Sequence, residues 1–177
     1  MKFKDIETPY NFTKYGKFMY KLTMKWTSFL IKHRFLYYFL ACTWGIIATI
    51  FGWVATIILC LFTFRLPKKY NWVYYIQIGK FWGGLEAGLM FIRDKESDDS
   101  INEHEWGHSF QNCLFGPFAI ILIFIPSAIR YWIMAIKEKM GKEVKEYDSI
   151  WFEASASNCG EYANNYLYNK RLEKESK

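Results

Sequence analysis

Hydrophobic and polar positions divide this chain sharply. Between Arg34 and Arg65 lie 30 residues without one charged side chain. As a helix they would reach roughly 45 Å, against about 30 Å for the hydrocarbon core of a bilayer. The run predicts an apolar helix over residues 37–64, transmembrane or re-entrant with a turn near Gly45 or Gly52. Ahead of it, Tyr15, Phe18, Met19, Leu22, Trp26, Phe29 and Leu30 recur at helical spacing. Lys14, Lys17, Lys21, Lys25 and Lys32 fall mostly on the other side. Residues 1–36 thus read as a basic amphipathic segment suited to an anionic membrane surface, with packing on a soluble core as the alternative.

Beyond Arg65 the pattern changes. Leu85, Ala87, Leu89 and Phe91 alternate with Glu86, Gly88 and Met90, which predicts one strand over Leu85–Ile92. The polar run "RDKESDDS" reads as a loop. Ser100 and Glu103 have capping-box spacing, Asp98 and Asp99 suit a helix N-terminus, and Gly116-Pro117 is a stop. These signals predict a helix over about 101–115. Phe118–Ile136 is a second apolar stretch, interrupted by Pro126 and Arg130. A last helix is expected over about 149–168, followed by a solvated charged tail. The fold class is therefore mainly α: a membrane-anchored helical domain with a small strand element before the 101–115 helix. Residues 65–177 would form the working domain.

Composition sharpens this reading. Aromatic residues make up 21% of the chain, which suits a membrane interface. Net charge is +6, and residues 1–36 alone hold eight Lys/Arg against two acids. The remainder is neutral, and no nucleic-acid-binding pattern appears, so nucleic acid is excluded as a partner. The four cysteines show no CxxC spacing and read as buried free thiols.

Chemistry concentrates in Ile101–Gln111, "INEHEWGHSFQ". His104 and His108 are one helical turn apart and share a face, so two imidazoles can meet one metal ion. Glu105 is rotated by about 100° and stands where it can take a proton from water on the metal's open side. This is the logic of an HExxH metallopeptidase, with Zn(2+) as cofactor. A third ligand is needed. His33, beside Arg34 in the basic segment, reads as a surface residue. Glu153 is the candidate, because Ala154, Ser155, Ala156 and Ser157 leave its helix free of bulk and let two backbones approach. Glu161 is the second choice.

"HEWGH" followed by a helix with E-x-x-A resembles the gluzincin metallopeptidases, in particular their membrane-embedded CAAX prenyl peptidase and HtpX-like branch. The resemblance covers Gly84 to Gly160. It implies His104, His108 and Glu153 as zinc ligands and Glu105 as general base. Ser157 stands where that group has an aspartate supporting a ligand histidine. The wider pattern resembles small bacterial membrane proteins. By analogy with such enzymes, Leu85–Ile92 would bind substrate backbone by strand addition, while Tyr147, Tyr162 and Tyr166 are open choices for stabilising an oxyanion.

The expected activity is zinc-dependent hydrolysis of a peptide or membrane-associated protein, at the surface of a lipid bilayer. The expected location is integral to a membrane, a bacterial cytoplasmic one by the resemblance, with either face possible. A non-catalytic membrane protein with a metal-binding or vestigial site, acting as scaffold or transporter partner, is the alternative. If Glu153 reaches the metal, the chain must return to its starting point after Phe118–Ile136. That stretch is therefore expected to bend at Pro126 or lie along the protein rather than cross the bilayer.

Overall fold

The computed structural model describes residues 5–176. Its helices are α1 (Lys14–Leu30), α2 (Arg34–Cys42), α3 (Ile46–Thr63), α4 (Ser100–Phe115), α5 (Ile125–Lys139) and α6 (Trp151–Glu175). Between α3 and α4 lie four strands, β1 (Lys68–Tyr70), β2 (Val73–Gln77), β3 (Gly84–Ala87) and β4 (Met90–Arg93). The strand order is β1-β2-β4-β3, with β2 and β4 parallel and the outer pairs antiparallel. The chain is thus mainly helical with a small mixed sheet ahead of α4.

The strand expected over Leu85–Ile92 is instead a hairpin. Gly88 takes a positive φ of 72°, which glycine adopts without strain, and the chain reverses so that Ala87 faces Met90. Alternation continues through such a turn, so the pattern alone concealed it. The capping box is also not formed. The Ser100 hydroxyl donates to Asp98, and Glu103 accepts from Asn164 of α6 at 2.7 Å. Asp99, not Ser100, is the N-cap.

The centre of the molecule is the α4–α6 pair. A methyl group at Gly107 would sit 1.8 Å from the Ala156 carbonyl oxygen, and one at Gly160 would sit 1.8 Å from that of Glu103. Backbone therefore lies against backbone, as the small residues of α6 allow. α1 packs on this pair through Met19, Tyr20, Thr23, Met24 and Thr27, and the Thr27 hydroxyl donates to Cys159 Sγ at 3.1 Å. The packing alternative for α1 accounts for that face. Tyr15, Phe18 and Phe29 nevertheless stay exposed.

The long apolar run is broken into α2 and α3 at Thr43–Gly45, one of the two expected turning points. The Thr49 hydroxyl donates to the Ala41 carbonyl at 2.7 Å and ties the two helices across the break. α3 buries Thr49, Gly52 and Thr56, one helical stripe of small and hydroxyl side chains. A Cβ at Gly52 would lie 2.2 Å from the Ala87 carbonyl oxygen, so this stripe lies on the β3–β4 hairpin. Ile47, Ile50, Phe51, Trp53, Ile57 and Phe62 point outward.

α5 follows a π-helical turn at Ile120–Phe124. Pro126 supplies no N–H to the preceding turn, and such a turn accommodates the gap. α5 has no buried residue. Its inner side, with Ser127, Ala128, Arg130, Met134 and Ala135, is half-buried. After Gly141 the chain runs back beside α5, where Arg130 donates to the carbonyls of Glu146 (2.7 Å) and Tyr147 (3.1 Å). α3 and the helix Ile120–Lys139 are each long and apolar enough to cross a membrane.

α6 begins at Trp151 and continues to Glu175, so the supposed charged tail forms its last turns. Of the four cysteines, Cys113 and Cys159 are buried free thiols as expected. Cys42 is exposed and Cys60 half-buried, because α2 and α3 turn apolar faces outward.

Candidate metal centre

α4 and α6 bring His104, His108 and Glu153 together. The two imidazole Nε2 atoms are 3.1 Å apart. Glu153 Oε2 lies 3.2 Å from that of His104 and 3.3 Å from that of His108. Two donors held by one tetrahedral zinc at about 2.05 Å lie roughly 3.3 Å from each other. The three atoms thus form the triangle that one small ion would fit.

The carboxylate supplies an independent test. Glu153 is fully buried, and neither oxygen has a partner with hydrogen-bond geometry. A buried anion needs a cation beside it, and at Glu153 Oε2 either a protonated imidazole or a metal ion would supply that charge. Burial alone would raise its pKa; the facing imidazoles outweigh burial and hold it well below the usual carboxylate range. Burial alone would likewise lower His108, but Glu153 dominates and pushes the imidazole up to about 9. The three groups thus face one another closely enough to hold a metal ion.

The surrounding groups fix the imidazoles. Gln111 donates through Nε2 to the Phe152 carbonyl (2.7 Å) and Ser155 Oγ (2.8 Å). Its Oε1 must then accept from His108 Nδ1–H, at 2.7 Å. With Nδ1–H committed to Gln111, Nε2 is the nitrogen a metal would take, displacing the proton that Glu153 otherwise favours there. Ser157 Oγ lies 2.8 Å from His104 Nδ1, so the serine does meet that histidine. Sequence reasoning did not find Gln111, although it lies three residues after His108 on the same helix face.

Glu105 is buried beside the triad but is not part of it. Burial raises its pKa, and His104 and His108 partly offset that. β3 approaches it closely: a Cβ on Gly84 would come within 2.4 Å of Glu105 Oε1. A larger residue there would have to displace the Glu105 side chain.

No family model, curated protein or solved structure matches the chain. The reading therefore rests on the site's own chemistry.

The other sequence candidates separate clearly. His33 is exposed, its ring tilted against that of Phe29 with centroids 4.6 Å apart. Glu161 is exposed on α6 and lies outside the triad. Of the three tyrosines, Tyr147 places its ring 6.1 Å from that of His104. Tyr162 and Tyr166 pack against the hydrophobic core instead. Burial and then the Glu153 charge raise the Tyr147 phenol above its ordinary value, so it remains a proton donor.

One further carboxyl was missed. Glu86 sits on the edge strand β3, two residues from Gly84 and so on the same face. Its Oε1 accepts from Gly88 N–H at 2.6 Å. Desolvation, partly offset by His108, pushes it up to about 8. The signal was available as a lone acid in "GGLEAGLMFI", an otherwise uncharged stretch.

Proposed function

We propose that this chain is a zinc-dependent peptidase working at a membrane surface. The observation that carries the proposal is the 3.1–3.3 Å triangle of His104, His108 and Glu153 with the orphaned Glu153 carboxylate inside it. Glu105, adjacent but outside the triangle, supports a hydrolytic reading over a merely structural one.

His104 Nε2, His108 Nε2 and Glu153 Oε2 would hold the ion, and three protein ligands leave a position open for chemistry. When bound, zinc supplies Lewis acidity, which acidifies water and polarises a carbonyl. The remaining work falls to the chain. The Glu105 carboxylate accepts the proton of the attacking water and returns it to the leaving amine. Gln111 and Ser157 keep the imidazoles oriented. Of the three tyrosines, Tyr147 is the one whose ring lies beside His104, and its hydroxyl is the candidate donor for charge developing on the substrate oxygen.

β3 provides a place for the substrate backbone. Asp94 N–H bonds the Gly83 carbonyl, and paired residues along an antiparallel ladder alternate between bonded and non-bonded. With Gly84 opposite Arg93 and Glu86 opposite Phe91, the backbone groups of Gly84 and Glu86 point away from β4. The substrate edge is thus β3 rather than the whole of Leu85–Ile92, and an extended peptide would add beside it.

Membrane attachment is supported by the inverted surfaces of α3 and α5, whose polar or small sides face the protein and whose apolar sides face out. The charged segment 142–146 returns alongside α5 toward Arg130, and burying it in hydrocarbon would be costly. That favours an interfacial position for α5 and leaves α3 as the deeper anchor.

The test pairs two variants in purified full-length protein. Glu105→Gln should retain stoichiometric zinc by metal analysis and lose at least about a hundredfold in cleavage of a fluorogenic peptide library. His108→Ala should lose both. Wild-type protein that holds zinc and cleaves nothing would favour a non-catalytic metal site. Alkaline carbonate extraction that frees the protein from membranes would refute the anchor.

A further inference from the structure

A second cavity, about 500 Å³, lies where the α1–α2 junction, the β1–β2 hairpin and the end of α6 meet. It shares no residue with the metal centre. Its polar walls are Lys32, Arg34, Lys69, Lys170, Arg171 and Lys174, six cations with no carboxylate among the lining residues. Its floor is apolar, formed by Ile31, Trp72 and Leu167.

The fold assembles these charges from segments far apart in sequence. On α6, Leu167, Lys170, Arg171 and Lys174 follow the i, i+3, i+4, i+7 spacing of one helix face, while Glu173 and Glu175 fall off it. None of the six cations forms a salt bridge among the described residues. Their contacts are with neutral groups. Arg171 donates to Asn71 Oδ1 at 3.1 Å, Arg34 donates to the Tyr38 hydroxyl at 3.3 Å and lies over the Trp72 ring, and Lys170 lies over Tyr166. Six unneutralised like charges around one hollow repel each other and focus a positive potential into it. Two guanidiniums with lysines between them match the oxygens of phosphate.

We propose that this cavity binds a phosphate-bearing anion, either the headgroup of an anionic phospholipid or a soluble polyphosphate. Both present the same chemistry to the lysines and arginines, and the apolar floor adds a contact that a lipid's glycerol region would use. The site does not depend on the metal centre being catalytic.

The experiment is calorimetric titration of the full chain in zwitterionic detergent. The probes are inorganic pyrophosphate, short-chain phosphatidylglycerol and short-chain phosphatidylcholine. The combined variant K69Q/R171Q/K174Q is compared with K139Q/K142Q/K145Q, which removes the same charge from the end of α5 and the segment after it. Circular dichroism and zinc content confirm that each variant is folded, and Lys174→Gln alone replaces the triple variant if that one is not. Wild type and the control variant should bind an anionic probe, and the pocket variant should bind it about tenfold or more weakly. Pyrophosphate binding as tightly as phosphatidylglycerol identifies a soluble phosphate. Phosphatidylglycerol binding more tightly, with phosphatidylcholine silent, identifies a headgroup. Absence of binding by both anionic probes, or equal losses in the two variants, overturns the proposal.

Discussion

The α4–α6 pair and the α3–α5 pair are built on opposite rules. α4 and α6 enclose Glu105, His108, Gln111, Asn112, Glu153 and Ser155, all buried. α3 and α5 turn Ile50, Phe51, Ile57, Ile129, Trp132 and Ile133 outward. A protein in water places these classes the other way round. The difference teaches that one pair is organised around a buried polar cluster that could hold an ion, while the other turns its apolar side outward. Each pair can therefore be broken with little effect on the other.

The largest effect should come from closing the gap between α4 and α6. Gly107→Ala places a methyl group against the Ala156 carbonyl, and backbone cannot move aside as a side chain would. Denaturant unfolding should register a loss of about 3 kcal/mol or more, and zinc should be lost with it. Next, Glu153→Ala should lower zinc affinity beyond the roughly 10–100-fold expected for losing a supporting group, while Ser157→Ala should fall within that range. Competition with a calibrated chelator measures both. Equal losses would mean that Glu153 is only a support.

A smaller effect concerns pH. Glu86 ionises near 8 in the folded chain against an ordinary 4.5, so the folded state binds its proton more tightly than the unfolded state. Its contribution to stability is present at low pH and is lost as pH rises from about 4.5 through about 8. Glu86→Gln should therefore stabilise the metal-free protein at pH 9 by at least about 1 kcal/mol and have little effect at pH 4. Melting curves across that range give the sign directly. The smallest effect on the fold should follow Ile50→Ser with Ile57→Ser on the outer face of α3. In detergent, stability should change by under about 0.5 kcal/mol, whereas retention in membranes should fall. A large loss in detergent would place that face inside the protein.

Local signals carried much of this. His104 and His108 at i and i+4, and the "ASAS" run after Glu153, specify a shared face and a close approach without any knowledge of the fold. The broken apolar run was legible at Gly45 as one option among two. Signals that depend on the chain meeting itself were not legible. Alternation hid the turn at Gly88, because both arms of a hairpin keep the same period. Ser100 and Glu103 had the right spacing for a cap, yet Asp98 and Asn164 took their side chains. The charge count assigned the net +6 to residues 1–36, whereas folding gathers Lys32 and Arg34 with Lys69 and the α6 lysines around one hollow.

Arg130 and Ser127 are the residues of α5 that hydrogen-bond the segment leading into α6, through Glu146, Tyr147 and Ser149. The phenol beside His104 is thus hung from a helix that has no buried residue of its own. Any shift of that outer helix would therefore carry the Tyr147 ring with it, past the imidazole it faces.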